Sequence, residues 1–346
     1  MNKRAIRDAV RPGPALAVAA LLAVAGAVVV GMLDPWRTHA DGAAGPRRQS
    51  SASERVRGSR PSVGQPATTT TTAVQQGPPY AVGVTHLSLS RTDATGLRPL
   101  PVSVWYPAVG SPGGEETTDA PAASGSFSLV LFAHGWNGSA DFYAAMDREI
   151  ATAGFVVAAP SFPHTSSVSG ATSRGDVVNQ PADLAFLVDQ FATAPPPLLA
   201  GHVAPTKVGV VGHSDGGVTA AGIAFNSCCA DPRVGAAAVL SGAELFFGGS
   251  WFPPGSPPLL AVHGASDEVN PFAASQRLFD DAPSPKYLVR APGGHIPPFT
   301  TDPVVRPAVS TLVADFLRAE LDGDEQARQR VPTDANAGGL ELVGTG

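Results

Sequence analysis

A serine flanked by glycines is the strongest chemical signal in the chain. The stretch Gly212-His213-Ser214-Asp215-Gly216 follows a short apolar run and opens a region rich in Ala, Val and Gly. This is the strand–turn–helix setting of a nucleophile elbow, in which the glycines allow a turn tight enough to expose the serine hydroxyl. The helix behind the turn directs its N-terminal N–H groups at developing negative charge. The pattern predicts Ser214 as a nucleophile.

A serine hydroxyl needs a general base, and the base needs an acid that orients it. His295 follows the last predicted strand, and Asp267 follows the strand before it. The resulting chain order of Ser, Asp and His is that of hydrolases with this elbow. We predict these two residues as base and acid, with Glu244 as the alternative acid and His164 as the alternative base.

The tetrahedral intermediate of acyl transfer needs two N–H donors for its oxyanion. One should come from the residue after the nucleophile, Asp215, and the other from the loop after the predicted strand Ser128–Ala133. That loop reads His134-Gly135-Trp136-Asn137, and we predict that Trp136 N–H is the second donor.

The elements that must position these residues alternate along the chain. Two runs of alternating polarity come first and predict an antiparallel pair, and shorter apolar runs separated by helical periodicity follow. This order predicts an α/β fold with a mostly parallel, eight-stranded sheet and helices on both faces. The predicted strands are Val82–Ser90, Leu100–Tyr106, Ser128–Ala133, Phe155–Ala159, Lys207–Gly212, Ala236–Leu240, Pro258–Val262 and Tyr287–Arg290.

Several motifs in this order resemble the α/β-hydrolase superfamily. Within it the chain is similar to the dienelactone hydrolase-like, platelet-activating-factor acetylhydrolase-like and cutinase-like (polyester hydrolase) serine esterases. The resemblance implies ester hydrolysis without a cofactor. Two positions depart from these patterns, because Ser241 stands where acetylhydrolases have their acid and Ser214 stands where dienelactone hydrolases have cysteine. The motifs are Val102–Pro107, the His134–Trp136 turn, Asn179–Leu184, Gly212–Gly217, Asp267 and His295.

The segment between Leu240 and Pro258 is too short for a helical cap domain, so we expect an open cleft. It carries Phe246, Phe247 and Trp251, which we predict to bind substrate together with Trp136. The alternative is that these aromatic side chains only cover the sheet. We expect short-to-medium acyl esters, lipid-like esters or polyesters as substrates. An inactive binding module, or an acyltransferase or peptidase with the same triad, stays open as an alternative.

The chain divides into four regions by composition. Residues 1–33 combine a basic start with an apolar run and predict a signal peptide or a signal anchor. Residues 34–79 predict a disordered linker, 80–321 the catalytic domain and 322–346 a flexible tail. The catalytic domain is therefore expected outside the cell, with membrane contact only through the N-terminal segment.

Charge and cysteine content exclude other classes. The 346 residues carry 23 Lys and Arg against 29 Asp and Glu, for a net charge of −6. A nucleic-acid partner is excluded because such binding depends on basic residues that neutralise phosphates. No motif supports a metal or a nucleotide cofactor. The two cysteines, Cys228 and Cys229, are expected either as buried thiols in a helix or as a vicinal disulfide.

Overall fold

The apolar runs form the strands of one ten-stranded sheet in the part of the chain that the structure describes. The computed structural model describes residues 77–94, 96–245 and 247–346. The strands are β1 (Ala81–Asp93), β2 (Gly96–Ala108), β3 (Thr117–Thr118), β4 (Phe127–Ala133), β5 (Val156–Pro160), β6 (Val203–His213), β7 (Val234–Leu240), β8 (Leu259–Gly264), β9 (Lys286–Ala291) and β10 (Glu341–Thr345).

The strand order across the sheet is β10-β9-β8-β7-β6-β4-β5-β2-β1-β3. Strands β4 to β9 run parallel to one another, whereas β2 lies antiparallel to β5 and β10 antiparallel to β9. The carboxyl ends of β4 to β9 therefore meet at one edge, and the loops that follow them are called the carboxyl edge below. Ligands of open α/β sheets bind at this edge.

Helices cover both faces of the sheet. Leu129 and Leu131 of β4 pack in a core with α2, α3 and α4, whereas Val130 and Phe132 pack in a second core with α1, α5 and α6. Successive strand residues point to opposite faces, which is why buried parallel strands are apolar throughout. The mostly parallel sheet with helices on both faces is confirmed. The helices are α1 (Ala140–Thr152), α2 (Gln180–Thr193), α3 (Asp215–Phe225), α4 (Phe272–Asp281), α5 (Val305–Leu317) and α6 (Glu325–Asp334).

Two predictions are corrected. The described sheet has ten strands rather than eight, because β3 and β10 form its two edges, and residues 322–346 contain α6 and β10 rather than a flexible tail. Helix α6 begins at Asp324, whose carboxylate caps the N–H groups of Gln326 and Ala327. Val331, Ala335 and Leu340 are buried in the second core, and Ala327 is buried as well. Strand β10 then pairs with β9 and extends the sheet. This polar segment is therefore held by a buried apolar face, by one edge strand and by the ion pairs of Arg328 with Glu320 and of Arg330 with Asp315.

The connection from β7 to β8 contains no helix among its described residues, in agreement with the absence of a large cap. The predicted signal or anchor at 1–33 and nearly all of the linker lie outside the described residues. None of the helices in the described ranges is both long and apolar enough to cross a bilayer.

The two cysteines lie in an exposed turn after α3. Cys228 is exposed and Cys229 half-buried, so the expectation of two buried helix residues is wrong. A disulfide joins them, as in the alternative. Helix α3 ends before them because Asn226 adopts an extended backbone and bridges to Trp251.

Candidate active site

Ser214 lies in a strained turn between β6 and α3. Its backbone has φ 58° and ψ −122°, a conformation that non-glycine residues adopt only where the surroundings enforce it. A Cβ atom on Gly212 would overlap the carbonyl group of Gly216, and one on Gly216 would overlap that of Ala133. The two glycines are therefore required by the close approach of β6, α3 and β4. The turn places the Ser214 hydroxyl at the carboxyl edge, at the N-terminus of α3.

The structure brings Ser214, His295 and Asp267 together from the ends of three strands. His295 Nε2 lies 2.8 Å from Ser214 Oγ, and His295 Nδ1 lies 2.8 Å from Asp267 Oδ2. Ser214 and His295 are buried, and the side chain of Asp267 is almost fully enclosed. This arrangement gives the hydroxyl a base and gives the base an orienting carboxylate.

Asp267 is held as a carboxylate by its hydrogen bonds. Burial alone would raise its pKa, but the bonds from His295 and from the backbone N–H groups of Asn270 and Val269 outweigh this effect and hold the pKa well below its usual range. A second imidazole is close, since His263 Nε2 lies 3.4 Å from Asp267 Oδ2 and 3.0 Å from the carbonyl of Asn270. The acid therefore remains negative at the pH of most assays.

The two alternatives from the sequence lie elsewhere. Glu244 has one carboxylate oxygen buried without a hydrogen-bond partner among the described residues, and burial raises its pKa. His164 is exposed and bonds Thr172. Glu268, next to Asp267, accepts the N–H of His295 at 3.2 Å and so helps to fix the loop that carries the imidazole.

The two predicted oxyanion donors lie on either side of Ser214. A Cβ atom on Gly135 would stand 3.1 Å from Ser214 Cβ, which shows how closely the His134–Asn137 turn approaches the nucleophile. Trp136 N–H has no acceptor among the described residues. Asp215 is the first residue of α3, so its N–H has no acceptor within the helix. Both donors are therefore free to meet a ligand oxygen.

His134, the first residue of this turn, is a neutral histidine whose two ring nitrogens both form hydrogen bonds with the backbone. His134 Nε2 accepts the N–H of Phe162, so Nδ1 carries the proton and donates to the carbonyl of Gly135 at 2.8 Å. Burial lowers the pKa of His134 to about 4, which keeps the imidazole neutral and this tautomer fixed.

Residues 161–179 connect β5 to α2 and are called the β5–α2 loop. This loop forms hydrogen bonds with the same turn. The carbonyl of Thr165 accepts Asn137 N–H at 2.8 Å, and Ser167 N–H donates to the carbonyl of Gly138 at 2.8 Å. Gln180 connects this loop to α3, because its amide donates to Thr165 Oγ1 and its oxygen accepts from Thr219 Oγ1. Gln180 lies in the Asn179–Leu184 motif, to which the sequence analysis assigned no role, and Thr165, Ser167 and Thr219 belong to none of the motifs named there.

Buried ion pairs anchor the β5–α2 loop to the β1–β2 hairpin. Arg98, 1% exposed, donates two bonds of 2.8 Å to Asp176 and two further bonds to Asp183, which also pairs with Arg91. Burial opposes the charge on Arg98, but the two carboxylates outweigh it and raise the pKa of the guanidinium. The sequence analysis missed this cluster, because its members are far apart in the chain.

An arginine of the β5–α2 loop reaches the residue after Ser214. Arg174 donates Nε–H and Nη2–H to the two carboxylate oxygens of Asp215, each at 2.7 Å. Its side chain is 47% exposed, whereas that of Asp215 is 6% exposed. The residue after the nucleophile is thus held by its side chain as well as by its helix.

The predicted substrate-binding aromatics separate into two groups. Trp136 is 38% exposed beside Ser214. Trp251 bridges to Asn226 at the far end of α3, about 16 Å from Ser214 for an eleven-residue helix. Phe247 packs on Gly222, also towards that end. Phe247 and Trp251 thus lie against the C-terminal half of α3. Phe246 lies outside the described residues.

Exposed apolar side chains nevertheless surround the site. Large hydrophobic residues are solvent-exposed on the loops that follow five different strands of the carboxyl edge: Trp136, Val168, Val178, Leu245, Val269 and Ile296. Within the described ranges, no group of three or more His, Cys, Asp or Glu side chains is arranged to hold a metal ion.

Comparisons with known proteins agree with this geometry. The chlorophyllase family model matches residues 111–241, which include the oxyanion turn and the elbow but not Asp267 or His295. A search of curated proteins finds no match. A ferulic acid esterase from Streptomyces cinnamoneus superposes with a TM-score of 0.58 at 20% identity, over 82% of this chain and all of that one. The chain therefore has an α/β-hydrolase fold like that of this esterase, and its residues 111–241 resemble the chlorophyllase family.

Proposed function

We propose that the chain is an exported serine hydrolase that cleaves carboxylic esters with short-to-medium acyl chains through Ser214, His295 and Asp267. The observation that carries this proposal is the unbroken hydrogen-bond chain from Ser214 Oγ through His295 to Asp267, at a strained elbow. Ester hydrolysis is the chemistry of the relatives in both comparisons.

The geometry supports a two-step reaction. Ser214 Oγ attacks the ester carbonyl carbon while its proton passes to His295 Nε2, and the carbonyl oxygen becomes an oxyanion beside Trp136 N–H and Asp215 N–H. Collapse of this intermediate breaks the ester C–O bond, and the imidazolium returns the proton to the departing alcohol. Water then attacks the acyl-enzyme with His295 as base, which releases the acid and restores the hydroxyl. Asp267 stabilises the imidazolium in both steps.

The apolar surroundings support a hydrophobic acyl group. The exposed side chains of Trp136, Leu245 and Ile296 lie on three separate loops around the nucleophile. Such a rim gains free energy by removing an acyl chain or an aromatic ring from water, at about 25 cal/mol per Å² of apolar area. Lipid-like esters and polyesters fit this rim, and the open carboxyl edge would admit a large alcohol.

Export is proposed from the N-terminal sequence. Basic residues precede the apolar run Ala15–Leu33, which is the order of a signal peptide or a signal anchor with the following chain outside. Mass spectrometry of the protein from the native host tests it, since a mature chain that begins after Leu33 indicates cleavage and an intact chain in the membrane fraction indicates an anchor. Intact chain in the cytosolic fraction would contradict export.

The test of catalysis combines turnover and active-site labelling. The full-length chain is assayed with p-nitrophenyl butyrate and treated with a fluorophosphonate, and the adduct is mapped by mass spectrometry. We expect labelling at Ser214, loss of both signals in Ser214→Ala, and a fall of about 10⁴-fold in kcat for Asp267→Asn. Ser111→Ala, at an exposed serine away from the site, is the control and should behave as wild type. Turnover that persists in Ser214→Ala would overturn the proposal.

A further inference from the structure

His213 is a buried imidazole that the proposed reaction does not use. It precedes Ser214 on β6 and is 2% exposed. Its ring centroid lies 4.7 Å from that of His295 and 4.8 Å from that of Phe299. A polar ring in this position must satisfy both nitrogens from inside the protein.

The partners of His213 determine its tautomer. Nε2 lies 2.7 Å from the backbone oxygen of His295, which can only accept, so Nε2 carries the proton. Burial lowers the pKa of His213 to about 3, so the ring is neutral and Nδ1 is an acceptor. Tyr143 Oη, 2.7 Å from Nδ1, therefore donates its proton to His213.

Tyr143 connects this ring to the oxyanion turn. It projects from α1, is 2% exposed, and its hydroxyl accepts Gly135 N–H at 3.3 Å. Gly135 directly precedes Trp136, the proposed oxyanion donor. The hydroxyl thus uses its acceptor capacity on the turn and its single proton on His213.

We propose that Tyr143 and His213 are positioning residues that fix the oxyanion turn and the backbone of His295 relative to each other. The chain of bonds runs from Gly135 N–H to Tyr143 Oη, from Tyr143 O–H to His213 Nδ1, and from His213 Nε2–H to the carbonyl of His295. It joins the turn that carries one proposed oxyanion donor to the backbone of the proposed general base. This inference rests on the proposed function, because it concerns the same site.

Loss of this link should lower kcat more than it changes KM. The oxyanion donors and the imidazolium interact most strongly with the transition state, so a displaced donor weakens transition-state binding and leaves ground-state binding almost unchanged. Displacement of such groups by up to about 1 Å can cost as much as about 10²-fold in rate. We expect a fall in kcat of roughly 10- to 100-fold.

The experiment removes one hydroxyl at a time. Tyr143→Phe breaks the link, and Tyr106→Phe is the matched control, since Tyr106 is also a fully buried tyrosine, donates to the carbonyl of Ala120 and lies away from the site. For each variant, kcat and KM are measured with p-nitrophenyl butyrate, the fluorophosphonate labelling rate at Ser214 is followed, and the melting temperature is recorded. Tyr143→Phe should lose kcat and labelling rate together, whereas Tyr106→Phe should lose only stability.

A second pair of variants tests the other half of the link. His213→Gln can still donate an amide N–H towards the carbonyl of His295, whereas His213→Leu cannot. The labelling rate should therefore fall in the order wild type, Gln, Leu. Wild-type kcat and labelling in Tyr143→Phe, or equal rates in Gln and Leu, would overturn the inference.

Labelling also separates this inference from the proposed function. A wild-type chain that is labelled at Ser214 but hydrolyses no ester overturns the proposed function, and the labelling rates of the variants still decide the role of Tyr143. A folded wild-type chain that is neither labelled nor active overturns both.

Discussion

The elbow and the β5–α2 loop both hold the proposed oxyanion donors in place, but by opposite means. The elbow is fixed by close backbone packing, because Gly212 and Gly216 leave no space for a Cβ atom. The β5–α2 loop is fixed by buried charge, because Arg98 joins Asp176 and Asp183 beneath it. One region is rigid because side chains are absent, and the other because long side chains are present.

This difference decides how each region tolerates change. A close backbone contact can relax only if the two packed elements move apart. A single added methyl group at Gly212 or Gly216 should therefore disrupt the elbow. An ion-pair cluster can lose one member and still leave the backbone intact, at the cost of buried carboxylates without partners. Glycine substitutions therefore test the elbow, and charge substitutions test the loop.

The largest effect is expected for Gly212→Ala. The new Cβ would overlap the carbonyl of Gly216, and we expect a loss of more than about 4 kcal/mol in the free energy of unfolding, together with loss of Ser214 labelling. The matched control is Gly175→Ala in the β5–α2 loop, where the nearest atom to the added Cβ is 3.8 Å away. The control should change stability by less than about 0.5 kcal/mol. Urea unfolding of both variants measures this, and equal destabilisation would remove the contrast between the two regions.

A smaller loss is expected for Arg98→Met. It leaves the buried carboxylates of Asp176 and Asp183 without their main partner, which should cost about 3–5 kcal/mol in the free energy of unfolding. Arg148→Met is the control, because Arg148 pairs with Glu116 where both side chains are about one-third exposed. Exposed pairs of this kind contribute less than about 1 kcal/mol. Denaturant titration compares the variants, and similar losses for both would mean that the cluster does not anchor the loop.

The same contrast explains what the sequence could predict. All eight predicted strands are present because buried parallel strands are apolar throughout, and helices lie between them because amphipathic helices keep their period. Ser214, Asp267 and His295 follow strands whose positions were predictable, so the order of elements placed them at one edge. The elbow could be predicted because its pattern of serine and glycines lies within six consecutive residues, 212–217.

The parts that sequence reasoning missed depend on distant partners or on weak patterns. Nothing near Arg98 indicates that it meets Asp183, and nothing near Tyr143 indicates that it meets His213. The C-terminal helix α6 had a faint signal, since Ala327, Val331 and Ala335 recur every four residues after the capping residue Asp324, but the polar composition outweighed it. Sequence alone could not decide between substrate binding and packing for Phe247 and Trp251, because an aromatic side chain suits a substrate-binding surface as well as the side of a helix.

The smallest effect, and the one that links the two regions, is expected for Arg174→Gln. The half-exposed pair with Asp215 should contribute less than about 1 kcal/mol to stability. Its loss leaves the Asp215 carboxylate uncompensated next to the nucleophile, where a negative charge opposes the developing oxyanion. We expect kcat/KM to fall about fivefold, which corresponds to about 1 kcal/mol in the barrier.

Because this effect is electrostatic, the double variant Arg174→Gln/Asp215→Asn, which removes both charges and keeps the backbone N–H, should recover most of the rate. If the double variant is as slow as Arg174→Gln, the arginine acts by holding the loop in place, and the β5–α2 loop contributes geometry rather than charge to the site.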